Sequence, residues 1–411
     1  GIKMPAYKGS GDDMDTGDTS ENKEDEEKSS SEKRKEESNE DGENLMKKLS
    51  TYYSLILFFA FLTNSKVSSL DDILKAIGSR VENRRIAKNV GLDKDVLLTI
   101  RTIINPYVLS ELDYKVAHMN HMSHDDSIPA SDRVDRAMKK FGRLSTSEIV
   151  TPAWVADKMV GYLPADRIKH GTKILDIASK QGEFANALYK AFGDKVKDTV
   201  YSLPTSSLTY EFTRKVYALL GLPVKNVIKD YISCDLLNDK KKEKIMNEFI
   251  SLGTDIIIGN PPYQDDAVGE QKTYNGPIYN LYLDCAYSIS DVVEMIHPAR
   301  FLSNAGSTPK AWNKKMLEDK HIGICEFWNK SVRLFDETEI KGGVAISIRD
   351  KKVDKGPIGL FTPYPQLNAI VRSVCKNKTF KSMSDIVVSR TAYRFTDLMH
   401  KDHPEAIGQL S

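Results

Sequence analysis

The sequence predicts an α/β fold: a doubly wound, Rossmann-like domain preceded by a helical bundle. Two patterns point to the α/β body and its leader. Short β-rich runs alternate with helical stretches from about Leu144 onward, and the hundred residues before that carry apolar side chains at helical spacing. A third observation narrows the chemistry. The apolar run Asp255–Gly259 passes straight into Asn260-Pro261-Pro262-Tyr263.

The chain has 411 residues, 40% of them hydrophobic, enough to bury a sizeable core. Residues 1–44 carry 15 acidic and 7 basic side chains and almost nothing apolar, so burial cannot offset their ordering entropy and they are expected to be disordered. The remaining residues carry 52 basic and 43 acidic side chains, a mildly basic body that suits a polyanionic partner. Cys234, Cys285, Cys325 and Cys375 lie far apart, which gives neither metal-ligand spacing nor a disulfide framework. A reducing, cytoplasmic setting follows. The longest apolar run, Leu55 to Leu62, is too short to span a bilayer, and the polar amino end does not read as a signal peptide. The start at Gly1 leads to the expectation of a fragment of a longer protein.

Residues 45–144 read as a helical domain. Leu45, Leu49, Tyr52, Tyr53, Ile56 and Leu57 recur at helical spacing, as do Leu70, Ile73, Leu74 and Ile77 behind Asp71 and Asp72. Gly91 breaks the series, Val96 to Ile104 forms a helix that Pro106 interrupts, and Val134 to Phe141 completes the set. Residues 145–356 read as the catalytic domain. Strands are expected at Lys173–Ile177, Thr199–Leu203, Asp255–Gly259, Val292–Ile296, Ile322–Trp328 and Gly343–Arg349. Helices are expected at Phe184–Phe192, Ser207–Leu220, Lys241–Leu252, Tyr279–Ile289 and Lys310–Asp319. Lys341-Gly342-Gly343 predicts a tight connection between the last strands. Residues 357–411, after Pro363 and Pro365, read as the truncated start of a target-recognition region.

Two constellations carry chemistry. In the first, the strand Lys173–Ala178 ends in Ser179-Lys180-Gln181-Gly182, and Glu183-Phe184 opens a helix. Ligands of open α/β sheets bind beyond the carboxyl ends of strands. Gly182 lets a ligand approach the backbone, and Asp176 can pair with a cation such as the ammonium of S-adenosylmethionine. An ordinary structural turn is the alternative for this feature alone. Asp235, just past a strand expected at Val227 to Ile232, either accepts from the adenine amino group of the cofactor or caps a helix.

The second constellation is Asn260-Pro261-Pro262-Tyr263. Two prolines fix φ twice and remove two donors, which leaves a stiff loop of outward carbonyls. An aromatic amine is a poor nucleophile because its lone pair is delocalised. Acceptors at the Asn260 side chain and the Pro261 carbonyl would pull the nitrogen toward tetrahedral geometry and stabilise its developing positive charge. Tyr263 offers a face for an extruded base. The alternative is a proline turn after a core strand.

With these residues in view, the sequence resembles the adenine-specific DNA methyltransferases of restriction–modification systems. It is most similar to the type II bifunctional (type IIG-like) group with an Asn-Pro-Pro-Tyr motif. The resemblance spans roughly Ser145 to Asp350. Asn260-Pro261-Pro262-Tyr263 matches the catalytic motif in full, and Asp176 to Phe184, with Ala178 and Gly182 in the turn, matches the first cofactor motif in position. Thr151-Pro152, with Val155 and Met159, looks like the segment against the methionine part of the cofactor. Tyr279-Asn280, Pro298-Ala299-Arg300-Phe301 and Val332 to Phe335 look like later conserved blocks. The resemblance implies S-adenosyl-L-methionine as cofactor, double-stranded DNA as partner, a flipped adenine as substrate, and a restriction nuclease or specificity domain outside this chain.

Two departures stand out. The first motif is usually richer in glycine or proline than Ala178-Ser179-Lys180-Gln181-Gly182. No acidic residue ends the second strand, so Ser202, Thr205, Ser206 or Glu211 would have to hold the ribose. Other readings of the same motif are methylation of glutamine in proteins or of adenine in RNA, or a non-catalytic DNA-binding subunit. No metal is expected: His118, His121 and His124 on one helix would leave a tetrahedral site short of ligands. Lys240-Lys241-Lys242 reads as a solvated helix start, and Trp312 and Trp328 as packing residues. Residues 45–145 carry no nuclease motif.

Overall fold

The structure, a computed structural model, describes residues 50–142, 144, 150–264, 276–331, 334–335, 340–383, 386–387 and 401–404. The acidic leader expected at residues 1–44, and the helical positions Leu45 and Leu49, lie outside the described residues, as do Val332 and most of residues 388–411. The chain divides into two compact units. One combines the residues up to Gly161 with Ala165–Ile245, and the other combines Tyr162–Pro164 with the residues from Met246 onward. The division at Ile245 falls inside the span expected for the catalytic domain.

The first unit opens with helices α1 (50–62), α2 (Leu70–Ser79), α3 (Val81–Val90), α4 (Lys94–Ile103), α5 (Pro106–His124) and α6 (Ala130–Lys140). Local chemistry sets their ends. The Ser69 side chain accepts from the Asp72 amide at the start of α2, and Gly91 closes α3 in the left-handed conformation. Asp93 caps α4 by accepting from the amides of Asp95 and Val96. Pro106, expected to interrupt a helix, is instead the first residue of the next one, capped by Asn105. A missing N–H costs nothing at that position. Ile56, Leu57, Leu70, Ile73, Leu74 and Ile77 all reach the core, as their spacing predicts.

After α7 (Ala153–Val160) come β1 (Ile174–Ser179), α8 (Glu183–Phe192), β2 (Val200–Pro204) and α9 (Ser207–Leu220). Strands β1 and β2 are parallel, with Asp176 opposite Ser202. The run Val227–Ile232, expected to be a strand, makes only a single bridge, Ser202 to Val227. It then turns into a short 3-10 segment, Ser233–Leu237, so one rung is all that forms. Helix α9 joins the bundle to this α/β part. Phe212 packs edge-on against Phe58 at 5.3 Å and against Phe141 at 5.5 Å. Glu211, one residue earlier, accepts from Arg85 at 2.9 Å and from Asn89 at 2.6 Å.

Helix α10 (Asp239–Leu252) runs across the division. The second unit holds β3 (Ile256–Gly259), α11 (Tyr279–Ile289), β4 (Val292–Pro298), α12 (Lys310–Glu318), β5 (Ile322–Trp328), β6 (Val344–Asp350) and α13 (Pro365–Cys375). Its strand order is β3-β4-β6-β5. Strands β3 and β4 are parallel, with Gly259 opposite Met295, whereas β6 runs antiparallel to both β4 and β5. The expectation of a doubly wound sheet is therefore modified at this edge. A parallel return needs a crossover, usually helical, and the described residues between Trp328 and Val344 form no α-helix to carry one. It ends instead in Gly342 and Gly343, both at positive φ. The architecture is α/β and Rossmann-like, led by a helical bundle. Among the described residues no helix is long and apolar enough to cross a membrane.

Two predictions follow from the packing. Phe212→Ala empties the centre of the aromatic cluster and should cost about 3–5 kcal/mol of stability, read from denaturant unfolding. In the second unit, Glu294 on β4 is fully buried and neither carboxylate oxygen has a partner. Burial raises its pKa well above the ordinary carboxyl range. Below that range the group is neutral in both folded and unfolded chains. As pH rises, the unfolded chain ionises first and stability is lost. Glu294→Gln should remove this loss. Its melting temperature should exceed the wild type's by an amount that grows from pH 4 to pH 8. A constant difference across that range would contradict the assignment.

Candidate cofactor turn and amine-binding corner

In the first unit, Asp176, Ala178, Gly182 and Phe184 meet on one turn. β1 is buried along its whole length, and Asp176, Ala178 and Phe184 are each 0% exposed. One oxygen of Asp176 accepts from the Ala178 amide at 3.1 Å, and the other has no partner. Glu183 folds back on the same turn. Its Oε2 accepts from the amides of Lys180 at 3.3 Å and Gln181 at 2.8 Å, while its Oε1 is buried without a partner. Burial, reinforced by the Glu183 charge, lifts the Asp176 pKa well above its usual value, and Lys180 opposes this. The unpartnered Asp176 oxygen is a buried acceptor on this turn, which fits a ligand that brings a hydrogen-bond donor or a positive charge. Glu183 was not singled out in the sequence. Its only signal is its position beside Gly182.

The turn is braced from two sides. Ser179 Oγ lies 3.1 Å from Thr213 Oγ1 of α9 and accepts from the Gly182 amide at 3.2 Å. The Gln181 side chain donates to the Phe141 carbonyl at the end of α6. Gly182 adopts φ +71°, and a Cβ there would lie 3.0 Å from Val216 Cγ1. The close approach at this glycine is thus to α9. Thr151, fully buried, and Pro152, half-buried, lead into α7, which packs against α8.

Asp235 is committed to local contacts. It accepts from the Ile232 amide at 3.0 Å and from Lys241 at 2.8 Å, which is the capping role. Lys241, in the basic run at the start of α10, thereby has an acidic partner. The ribose candidates are also engaged. Ser202 bonds Tyr217 at 2.9 Å, and Ser206 and Thr205 bond Thr209 at the start of α9. Glu211 is taken up by Arg85 and Asn89.

In the second unit, Asn260 and Pro261 leave the end of β3 buried, and Pro262 and Tyr263 are half-buried. The Tyr263 carbonyl accepts from the Ile278 amide at 3.2 Å, which ties the corner to the start of α11. The Tyr263 hydroxyl is buried without a partner, and burial raises its pKa. Phe335 stands edge-on to the Tyr263 ring at 6.4 Å. The Asn280 side-chain oxygen is buried and unpartnered.

One strand over, His297 is fully buried between Tyr279, stacked at 5.9 Å, and Phe301, at 5.5 Å. Its Nδ1 lies 3.0 Å from the Pro298 carbonyl, so Nδ1 carries the proton, and Nε2 accepts from Ser347 at 2.7 Å. Burial pushes its pKa down to about 4, and it stays neutral at ordinary pH. His297 was missed because a lone histidine in a strand gives no signal. Trp312 packs against Tyr279 and Phe301, the core role expected of it. Among the described residues no group of three or more candidate ligands converges on a metal position, and His118, His121 and His124 form none.

Residues 193–335 match the Eco57I restriction-modification methylase family. The matched span holds the Asn260–Tyr263 corner and Phe335, and it begins after the Asp176 turn. It bears out the resemblance to restriction–modification methylases. No curated protein matches the chain. Among solved structures, the chain is similar to DrdV in a DNA complex, at 15% identity and TM-score 0.45, covering 72% of this chain and 36% of that one. It is similar to the methyltransferase subunit of a type I restriction-modification system from Streptococcus thermophilus, at 14% identity and TM-score 0.45, covering 76% and 75%. It is also similar to a nuclease-deletion mutant of the type ISP enzyme LlaGI with a DNA substrate mimic, at 13% identity and TM-score 0.45, covering 79% and 37%. The chain therefore spans little more than a third of two of these proteins.

Gly182→Ala adds a methyl where φ is positive and Val216 is already in contact. It should cost about 1–3 kcal/mol. It should also weaken binding of S-adenosylmethionine, measured by calorimetry on protein that still unfolds cooperatively.

Proposed function

We propose that this protein is a DNA adenine methyltransferase, the modification arm of a restriction–modification system. In this reading it transfers methyl from S-adenosylmethionine to the exocyclic amino group of an adenine flipped out of the duplex. The observation that carries the reading is Asn260-Pro261-Pro262-Tyr263 at the end of a buried strand, inside the segment matched by the methylase family. The bound cofactor supplies an electrophilic methyl group on a positively charged sulfur.

The chain's own residues do the rest. The orphaned oxygen of Asp176 receives the cofactor's ammonium, and Ala178, Gly182 and Phe184 shape the turn around its methionine part, with Thr151 and Pro152 beside them. Asp235, already paired with Lys241, contacts the cofactor only if that pairing loosens. The Asn260 side-chain oxygen and the Pro261 carbonyl accept the two amino hydrogens. They localise the nitrogen lone pair and stabilise the positive charge that grows there, at roughly 1.5–3 kcal/mol each. Pro262 keeps the corner stiff. Tyr263 stacks on the extruded base, worth about 1–3 kcal/mol, and Phe335 lies edge-on beside it. Flipping costs a few kcal/mol, which these contacts offset.

The mildly basic body and the restriction–modification match favour DNA over RNA or a protein glutamine, the other acceptors of such a corner. The cytoplasm is where such an enzyme meets host DNA. A nuclease or specificity domain outside this chain would complete the system. Assays with tritiated cofactor on DNA, RNA and release factor separate the acceptors: label entering DNA supports the reading, and label in protein or RNA alone refutes it. Asn260→Ala should lower methyl transfer by about 10²–10³-fold while cofactor binding persists. Unchanged transfer would refute the mechanism.

A further inference from the structure

We infer that Arg300 is a built phosphate contact, a guanidinium held in place to take a phosphodiester of the substrate strand. This rests on the reading of DNA as substrate. Strand β4 ends at Pro298, the Ala299 amide donates to the Gly343 carbonyl at 3.0 Å, and Arg300 opens a short 3-10 turn, Arg300–Ser303. The turn closes on Asn304, at φ +50°, and the Ala305 amide donates back to the Arg300 carbonyl at 3.1 Å.

The arginine stem runs through a slot between two glycines. Gly342 sits at φ +88°, and a Cβ there would fall 2.5 Å from Arg300 Cγ. Gly306 sits at φ +87°, and a Cβ there would fall 3.0 Å from Arg300 Cβ. Side chains are thus excluded on both sides of the stem. Nε donates to the Lys341 carbonyl, which sets the plane of the head group.

That arrangement is more than an ordinary surface arginine needs. The stem is half-buried and one N–H is spent, yet among the described residues no carboxylate pairs with the guanidinium. The terminal nitrogens remain in the fork geometry that matches two oxygens of one phosphate. Holding the fork in advance lowers the entropy lost on binding.

Position supplies the function. β3 and β4 are parallel, so the Asn260 corner and Arg300 both leave the carboxyl ends of neighbouring strands, Asn260 just past the Gly259–Met295 pair and Arg300 after β4 has run on to Pro298. Gly342 and Gly343 arrive at that edge because Val344 pairs with Pro298. Exposed Lys310 and Lys341 add positive charge around it. A phosphate next to the extruded nucleotide is the anion that such an edge meets. A purely structural clamp is the competing account, and it predicts no dependence on salt.

The test uses the whole chain and a fluorescent 30-base-pair duplex, with affinity read by anisotropy across a KCl series. Arg300→Gln should weaken binding about tenfold at low salt and reduce the slope of log affinity against log salt by roughly one ion. Gly342→Ala, which displaces the stem without touching the charge, should weaken binding in the same direction. Arg300→Lys should keep the slope and lose part of the affinity. Binding of tritiated S-adenosylmethionine should be unchanged in all three, which also shows that they are folded. Wild-type slope and affinity in Arg300→Gln would overturn the proposal, and so would a fall in melting temperature with the slope intact. A wild-type protein that neither binds nor methylates DNA would refute the DNA reading and this inference with it. A wild type that methylates DNA alongside an unaffected Arg300→Gln would refute only the inference.

Discussion

Helix α9 holds the first unit to one geometry through two sets of contacts. In one, Phe212 sits among Phe58, Phe61 and Phe141, and Glu211 is gripped by Arg85 and Asn89. In the other, Thr213 bonds Ser179, Val216 fills the space beside Gly182, and Tyr217 bonds Ser202. A carboxylate buried at 2% exposure is costly unless its oxygens are satisfied, and here three donors satisfy it. Lys215, one turn on, is buried as well. It donates to Asn64 Oδ1 at 3.0 Å, and burial lowers its pKa to about 8. The bundle is therefore part of what shapes the turn that carries Asp176, and its apolar cluster stabilises the turn at a distance.

The second unit achieves rigidity by a different route. Two prolines remove backbone freedom at the corner after β3, and the Ile278 amide, with a bridge between Gln264 and Pro277, ties the corner to α11. Behind that, neutral His297 links Pro298 and Ser347 and stacks on Tyr279. Buried groups with unmet polar atoms mark both units: Asp176 and Glu183 in one, Tyr263 and Asn280 in the other. Buried polar atoms without partners are uncommon in folded proteins, and each calls for an explanation. Such atoms also occur away from these two places, at Glu294 within a strand and at Tyr53, Ser233 and Trp312.

Much of this was legible in order along the chain. The helices Ser207–Leu220 and Tyr279–Ile289 and the strand Ile322–Trp328 fall where periodicity put them. Apolar spacing reports burial directly, and Ser206, Asp93 and Gly91 mark helix ends with local hydrogen bonds. Val227–Ile232 reads as a strand because its residues are β-prone, but pairing needs a partner in register, and only one rung was available. Pro106 reads as a stop because proline cannot continue a helix, yet it can begin one.

The class of fold, the bundle before it and the two motifs around Asp176 and Asn260 can be read along the chain. Each of those depends on residues that are neighbours in the chain. Folding settled what surrounds them. It spent Glu211 and Asp235 on internal partners, set Val216 against Gly182, brought Phe335 to Tyr263, and threaded Arg300 between Gly306 and Gly342. These contacts join residues from 6 to 126 positions apart. No local pattern encodes them, because they exist only once the core has fixed where each strand and helix ends.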